Sequence, residues 1–201
     1  MLTIYGDIFS GNCYKIKLLL SLLNREHKWV HIDILKNETH SDSFLNKNPV
    51  GKIPLLELDN GTYLSESNAI LNFLAEGSEF LPNDPFHRAK ILQWQFFEQY
   101  SHEPYIAVAR YIAKYLGLPE ARKQEYESKQ LGGHKALQVM ESQLQHSRYL
   151  VGNRYSIADI SLYAYTHVAH DGGFDLSDYP KINDWINLIQ LHPNHVTMEQ
   201  F

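Results

Sequence analysis

The sequence predicts a two-part chain, a small mixed α/β domain followed by an all-helical domain, and three observations predict it. Strand-like and helix-like segments alternate in the order βαβαββα up to about residue 77. The triplet Asp59-Asn60-Gly61 joins two short apolar runs as a hairpin. From Pro85 onward every periodic segment repeats at helical spacing, with no strand pattern left. The expected boundaries are 1–77 for the α/β domain, 78–84 for a linker and 85–201 for the helical domain, and 201 residues suffice to give each part a core.

Taken in order, LTIY (2–5) is a β-type run that stops at Gly6. After the loop DIFSGN comes CYKIKLLLSLLN, where Ile16, Leu19, Leu20 and Leu23 fall at helical spacing, with Ser10 or Asn12 as its cap. WVHIDI (29–34) alternates, putting Val30, Ile32 and Ile34 on one face of a second strand, so a crossover should join two parallel strands. A weak helical segment around 43–47 precedes the loop Asn48-Pro49-Val50-Gly51. IPLLEL and TYL flank the hairpin turn, and Ser65 is placed to cap ESNAILNFLAEG, whose Ala69, Ile70, Phe73 and Leu74 should be buried and which Gly77 should end. In the second part, Asp84-Pro85 opens a long helix to Leu116 with Pro104 as an expected kink, a second helix spans about 120–146, and a last one about 180–191. Ser156 and Asp159 stand at capping-box spacing before another helix.

Composition narrows the function classes. Eighteen Lys and Arg against 23 Asp and Glu give a net charge of -5 without a basic stripe, so no nucleic-acid partner is expected. The single cysteine, Cys13, excludes an intrachain disulfide and any Cys-x-x-Cys redox or zinc pattern. The start MLTIYGD has no basic n-region, and the apolar run Leu18–Leu23 is too short to span a bilayer, so no signal peptide and no membrane partner are expected and the cytoplasm is the default compartment. Thirteen tyrosines fit either a packed helical core or an aromatic-lined cleft. Among the 11 histidines, His167 and His170 stand at i,i+3 beside Asp171, and Glu98 and His102 at i,i+4. Neither pair has a third and fourth ligand in sequence, so no metal is expected.

Three local features carry chemistry. FSGNCYK places Ser10 and Asn12 at a helix N-terminus, where free N–H groups and the positive dipole end favour a thiolate or another anion; plain capping is the alternative. In Val50-Gly51-Lys52-Ile53-Pro54, a proline before LLEL suits either a cis bond, turning the Ile53 backbone outward, or a simple strand start. Ser65-Glu66-Ser67-Asn68 opens a helix with an acceptor beside donors, fit for an amino-acid head group or for nothing beyond a capped first turn.

Together these blocks, the Ser10 loop, NPVGKIP (48–54), SES (65–67) and YSIADISLYAY (155–165), resemble the glutathione transferase superfamily over nearly the whole chain. The resemblance implies a thioredoxin-like βαβαββα domain that binds glutathione as co-substrate, without metal, and a helical domain that forms the second-substrate pocket. Carried over by position, Ser10 matches the catalytic serine, threonine or cysteine, with Asn12 beside it. Ile53 with cis-Pro54 would pair with the glutathione cysteine, Glu66 and Ser67 would hold the γ-glutamyl group, and His40 and Lys52 lie near its glycine end. Asp159 matches the buried capping acid of the second domain. Tyr105, Tyr111, Tyr115 and Tyr163 are candidates for the second-substrate wall, and a homodimer is implied, with Phe80, Phe86, Trp94, Phe96 and Phe97 as apolar surface. Tyr5 lies within the strand, which argues against the tyrosine-type classes; Ser10-Gly11-Asn12 is closer to the serine-type theta and zeta classes and the bacterial nu class. The implied activity is attack of the glutathione thiolate on a hydrophobic electrophile. The alternatives are nu-like, glutathione-dependent reduction of a disulfide, and a non-catalytic binding or regulatory protein. Cys13, at the first helical turn, is either a reactive thiol or a bystander.

Overall fold

A computed structural model of the chain describes residues 1–200. It forms two compact units, Met1–Ser78 together with the chain from Pro193 onward, and Glu79–His192.

In the first unit, strand β1 (Leu2–Gly6) leads to helix α1 (Gly11–Leu22), strand β2 (His27–His31), a short helix α2 (Asp42–Leu45), strands β3 (Leu55–Glu57) and β4 (Tyr63–Ser65), and helix α3 (Ser67–Ala75). The sheet order is β2-β1-β3-β4, with β1 and β2 parallel and the β1–β3 and β3–β4 pairs antiparallel, the mixed sheet that the βαβαββα order predicts. The last residue of β1 is a glycine for a steric reason: a Cβ at Gly6 would sit 2.9 Å from Cys13 Sγ and 3.0 Å from the Trp29 ring. α1 is stopped by Asn24 at φ 51°, and the Arg25 N–H returns to the Leu20 carbonyl at 2.9 Å.

Three local expectations are corrected. β2 is HKWVH, not WVHIDI: beyond His31 the Asp33 carboxylate accepts from the Leu35 and Lys36 amides (2.9 and 3.2 Å), a side-chain turn that takes Ile32 and Ile34 out of the strand. Ser65 is the last residue of β4 and does not cap α3, which begins at Ser67 without a side-chain cap. The buried face of α3 is Ile70, Leu71, Leu74 and Ala75, whereas Phe73 is 49% exposed.

Residues 194–198, expected in the helical domain, pack along α1 instead. Tyr14 donates its hydroxyl to the Val196 carbonyl (2.7 Å), Lys17 reaches Met198 O (3.0 Å), and Ser21 donates to Asn194 O (2.8 Å). α1 is therefore enclosed on nearly every side, Leu18, Leu19 and Leu20 all being fully buried. A helix apolar all round is one covered all round.

The second unit is helical throughout. α4 (Pro85–Phe97) starts where the Asp84 carboxylate accepts from the His87 amide at 2.9 Å, with Pro85 at its first position. It continues through a wide π-type turn (Glu98–His102) into α5 (Glu103–Arg110) and a second such turn (Tyr111–Tyr115). The Glu103 amide bonds to Glu98 O, five residues back, so the backbone widens just before Pro104, whose ring would crowd an ordinary turn. Helices α6 (Lys123–Leu144), α7 (Ile157–Thr166) and α8 (Pro180–Gln190) complete the unit. Phe80 and Leu81, expected in the linker, are buried in this unit: Phe80 O accepts from the Ile157 amide (3.1 Å), and its ring meets Tyr155 edge-on.

Asp159 ties the second unit together. Fully buried, it accepts from the Ser156 amide and hydroxyl (2.9 Å each), the Leu150 amide (2.8 Å) and Trp185 Nε1 (3.0 Å), joining the capping box of α7 to the approaching loop and to α8. Glu141 on α6 does the same for α8, accepting from the Lys181 and Ile182 amides at 3.0 and 2.9 Å. The glycine pair inside α6 lets other side chains come close: a Cβ on Gly132 or Gly133 would lie 2.2 Å from the Tyr105 or the Phe174 ring. Among the described residues no helix is long and apolar enough to cross a membrane.

Candidate active site

The sheet register brings the three chemical motifs of the first unit to one end. Tyr5 pairs with Leu55, and Leu55 with Ser65, so these three residues form one row across β1, β3 and β4. The Ser10 loop follows the end of β1, Ile53-Pro54 precedes the start of β3, and Glu66-Ser67 follows the end of β4. Antiparallel pairing makes all three converge.

The first loop is built by Asp7, whose carboxylate accepts from the Phe9 amide (2.8 Å) while its carbonyl takes the Ser10 amide (3.2 Å). Ser10 is the N-cap of α1, its hydroxyl oxygen accepting from the Cys13 amide at 3.4 Å. A hydroxyl that accepts from the helix keeps its own proton to donate elsewhere, so the capping role and the donor role are compatible. Asn12 touches Ser67 across the gap between α1 and α3: its Oδ1 accepts from Ser67 Oγ at 3.2 Å and from Lys15 Nζ at 2.8 Å. Lys15, fully buried, also reaches Ser67 Oγ at 3.3 Å. Sequence reasoning missed Lys15. The available signal was its place in a helix apolar on every side, where a lysine has no water to reach.

Cys13 lies beneath this layer, fully buried against Gly6. Burial pushes its thiol up to about 12, and the hydrogen bond with Ser10 and the neighbouring Lys15 offset that only in part. It is the bystander thiol of the two readings, because the reactive form is the thiolate.

At the second motif the Ile53–Pro54 bond is cis, and the ladder begins only at Leu55. The loop before it is shaped by buried Asn48, which donates to Lys52 O (2.7 Å) and accepts from the Val50 amide (3.2 Å). Lys52 and His40 are both exposed, and the His40 ring packs on Gly51, so the two are neighbours. At the third motif Glu66 stands at φ 70°, ψ 112°, a left-handed backbone conformation that a non-glycine residue adopts at a cost of about 1–3 kcal/mol. It is the N-cap of α3 yet makes no side-chain cap, so its carboxylate is not consumed in closing the helix. Such strain concentrates at ligand-holding positions. Replacing Glu66 with glycine is therefore expected to raise stability by about 1 kcal/mol, read as a melting point about 2–4 °C higher. A lower melting point would show that the conformation carries no strain.

The four tyrosines in the second unit do not make one wall. Tyr163 is fully buried, stacked on His167 (centroids 4.5 Å apart) and edge-on to Trp185, and is corrected to a core residue. Tyr105 is half-buried with its ring against Gly132. Tyr111 and Tyr115 do meet, with ring centroids 5.4 Å apart, and both are half-buried. The histidine pairs are used otherwise: His167 Nδ1 lies 2.7 Å from Tyr163 O, and His102 Nε2 lies 2.9 Å from Thr166 Oγ1 in the core. Among the described residues no group of three or more His, Cys, Asp or Glu side chains is arranged to hold a metal ion.

Comparison with known families matches residues 1–76 to the N-terminal domain of glutathione S-transferases and residues 92–193 to their C-terminal domain. The chain belongs to the glutathione S-transferase family. A glutathione S-transferase from Pseudomonas fluorescens superposes on this transferase with a TM-score of 0.98 at 62% identity, covering 99% of each chain. Glutathione S-transferase F13 of Arabidopsis thaliana is 30% identical over 90% of this chain and 87% of its own. The disulfide-bond oxidoreductase YfcG of Escherichia coli is 29% identical over the same shares, 90% and 87%. The transferase thus has relatives named for two different reactions.

Proposed function

We propose that the protein binds glutathione along the common end of β1, β3 and β4 and activates its thiol for attack on an electrophilic small molecule. The observation that carries this reading is the convergence of the Ser10 loop, Ile53-Pro54 and Glu66-Ser67 through the Tyr5–Leu55–Ser65 row. The head of α3 has backbone N–H groups for the γ-glutamyl carboxylate, and Glu66 has a carboxylate for its ammonium. The Ile53 backbone runs beside the glutathione cysteine, and His40 with Lys52 takes the glycine carboxylate. Ser10 and Asn12 donate to the sulfur. A free thiol of this kind titrates near 8.5, and each unit of lowering requires about 1.4 kcal/mol of preference for the thiolate, within reach of a charge-assisted hydrogen bond at a helix N-terminus. Tyr111 and Tyr115 are the candidates for the second-substrate wall.

A second reading, reduction of disulfides, is favoured by the asparagine two residues after Ser10 and by the likeness to the oxidoreductase. The glutathione thiolate would attack one disulfide sulfur, expelling the other as a thiolate. Cys13 is buried, so a second glutathione would resolve the mixed disulfide, leaving oxidised glutathione and a reduced dithiol.

Exposed Leu92, Phe96 and Tyr100 fall at i,i+4 spacing on one stripe of the second unit, beside a groove of about 910 Å³ lined in part by Trp94, Phe97, Leu131 and Val139. A second copy of the chain is the proposed cover, and sedimentation at a single chain mass would refute it. Phe80, first grouped with this surface, is buried. Isothermal calorimetry with millimolar glutathione tests the main reading. Saturable heat and a raised melting point are expected, and neither appearing would end it. Parallel turnover assays with an aryl halide and with hydroxyethyl disulfide separate the two reactions. Binding with no turnover in either would point to the non-catalytic alternative.

A further inference from the structure

We infer that Lys15 is a positioning residue: it fixes which way the Asn12 amide faces, and so turns the Asn12 N–H₂ group toward the thiol. This rests on the glutathione reading above. A lysine ammonium has three donors and no acceptor, so the atom of Asn12 that lies 2.8 Å from Lys15 Nζ has to be the oxygen. Ser67 repeats the constraint. Its hydroxyl accepts from Lys15 at 3.3 Å and therefore gives its proton to Asn12 Oδ1 at 3.2 Å. Flipping the amide would set its N–H₂ against two donors at once. Lys15 is fully buried, so water cannot make good the lost bonds, and a buried donor left without its acceptor is costly. The amide oxygen is thereby held toward Lys15 and Ser67, and the N–H₂ lies on the other branch of the amide of half-exposed Asn12.

Two consequences follow for ligand binding. Asn12 offers the sulfur a donor of fixed direction, whereas an unconstrained asparagine presents donor and acceptor alternately. The Ser67 side chain is occupied by this triad, so Ser67 serves the γ-glutamyl carboxylate through its backbone N–H. The triad also links α1, which carries the thiol site, to α3, which carries the amino-acid site.

A lysine that merely holds α1 to α3 would show the same contacts, and a double-mutant cycle separates the roles. The readout is the pKa of the bound glutathione thiol, followed by thiolate absorbance, in the wild type, Lys15→Met, Asn12→Ala and the double variant. Lys15→Met is expected to raise that pKa by about one unit, a roughly tenfold loss of thiolate at acidic pH. In the Asn12→Ala background the same change is expected to do nothing more. Lys15→Arg, which keeps donors, is expected to retain the wild-type titration. Effects of Lys15→Met and Asn12→Ala that add, or no effect of Lys15→Met, would overturn the assignment. If Lys15→Met does not fold, Lys15→Arg decides: a thiol pKa raised as far as by Asn12→Ala overturns it. A wild-type protein that takes up no glutathione would instead remove the functional reading, and this inference with it, at the first measurement.

Discussion

Replacing Asp159 with alanine is expected to lower the stability of the protein at neutral pH by about 3–5 kcal/mol, a fall in melting point on the order of 10 °C. The variant leaves the Leu150 and Ser156 amides, the Ser156 hydroxyl and Trp185 Nε1 without their acceptor in a fully buried place. It does so although the carboxylate itself is held at a cost. Burial raises the Asp159 carboxyl from 3.8 to about 6, against the pull of the Leu150, Trp185 and Ser156 donors. The sign of the pH dependence follows. Between those two values the folded chain keeps a proton that the unfolded chain releases, so this group's contribution to stability declines as pH rises through the window. The gap between wild type and Asp159→Ala should therefore be wider near pH 4 than at pH 7. Urea unfolding at several pH values measures it, and a gap that grows toward neutral pH would contradict the buried-acid account.

Ser10→Ala carries the second large effect, on chemistry rather than on folding. The cap bond to Cys13 is long, 3.4 Å, so its loss should cost no more than about 1 kcal/mol of stability. On the proposed reading Ser10 donates to a developing thiolate, and removing its hydroxyl should cost far more, a fall in turnover of roughly tenfold to a thousandfold with glutathione affinity little changed. The bound thiol should then titrate closer to its free value near 8.5. Equal thiol titrations in the two proteins would take Ser10 out of the mechanism. Because Cys13 is sealed and burial pushes its thiol up to about 12, it offers no substitute nucleophile in the variant.

Much of the architecture was legible because local signals agreed with one another. Asp84-Pro85, Ser156 with Asp159, and Asp59-Asn60-Gly61 each state a backbone conformation in three or four letters. The misreadings came where a local signal competed with something further off. Alternation carried the expected second strand through Ile34, but the Asp33 side chain turns the backbone first. Phe73 fits the apolar spacing of α3, yet Leu71 takes the buried position. Tyr163 reads equally as wall or core, and only packing against Trp185 separates the two. The sites in the first unit were foreseen as separate weak motifs. What sequence spacing does not contain is the pairing of Tyr5 with Leu55 and of Leu55 with Ser65, which joins them. Lys15 was hidden among apolar neighbours because its partners, Asn12 and Ser67, sit on two different helices.

The cover over α1 also bears on how the chain comes to be folded. Tyr14 closes its hydrogen bond with a carbonyl 182 positions further along. During synthesis the β1–α1 segment is made before residues 194–198, so its outer flank stays wet until these have followed. Maturation of the end of the sheet that carries the Ser10 loop thus waits on the completion of a large loop, a slow kind of contact to close. A ribosome stalled before residue 193 would carry a first unit whose earliest helix is still half undressed.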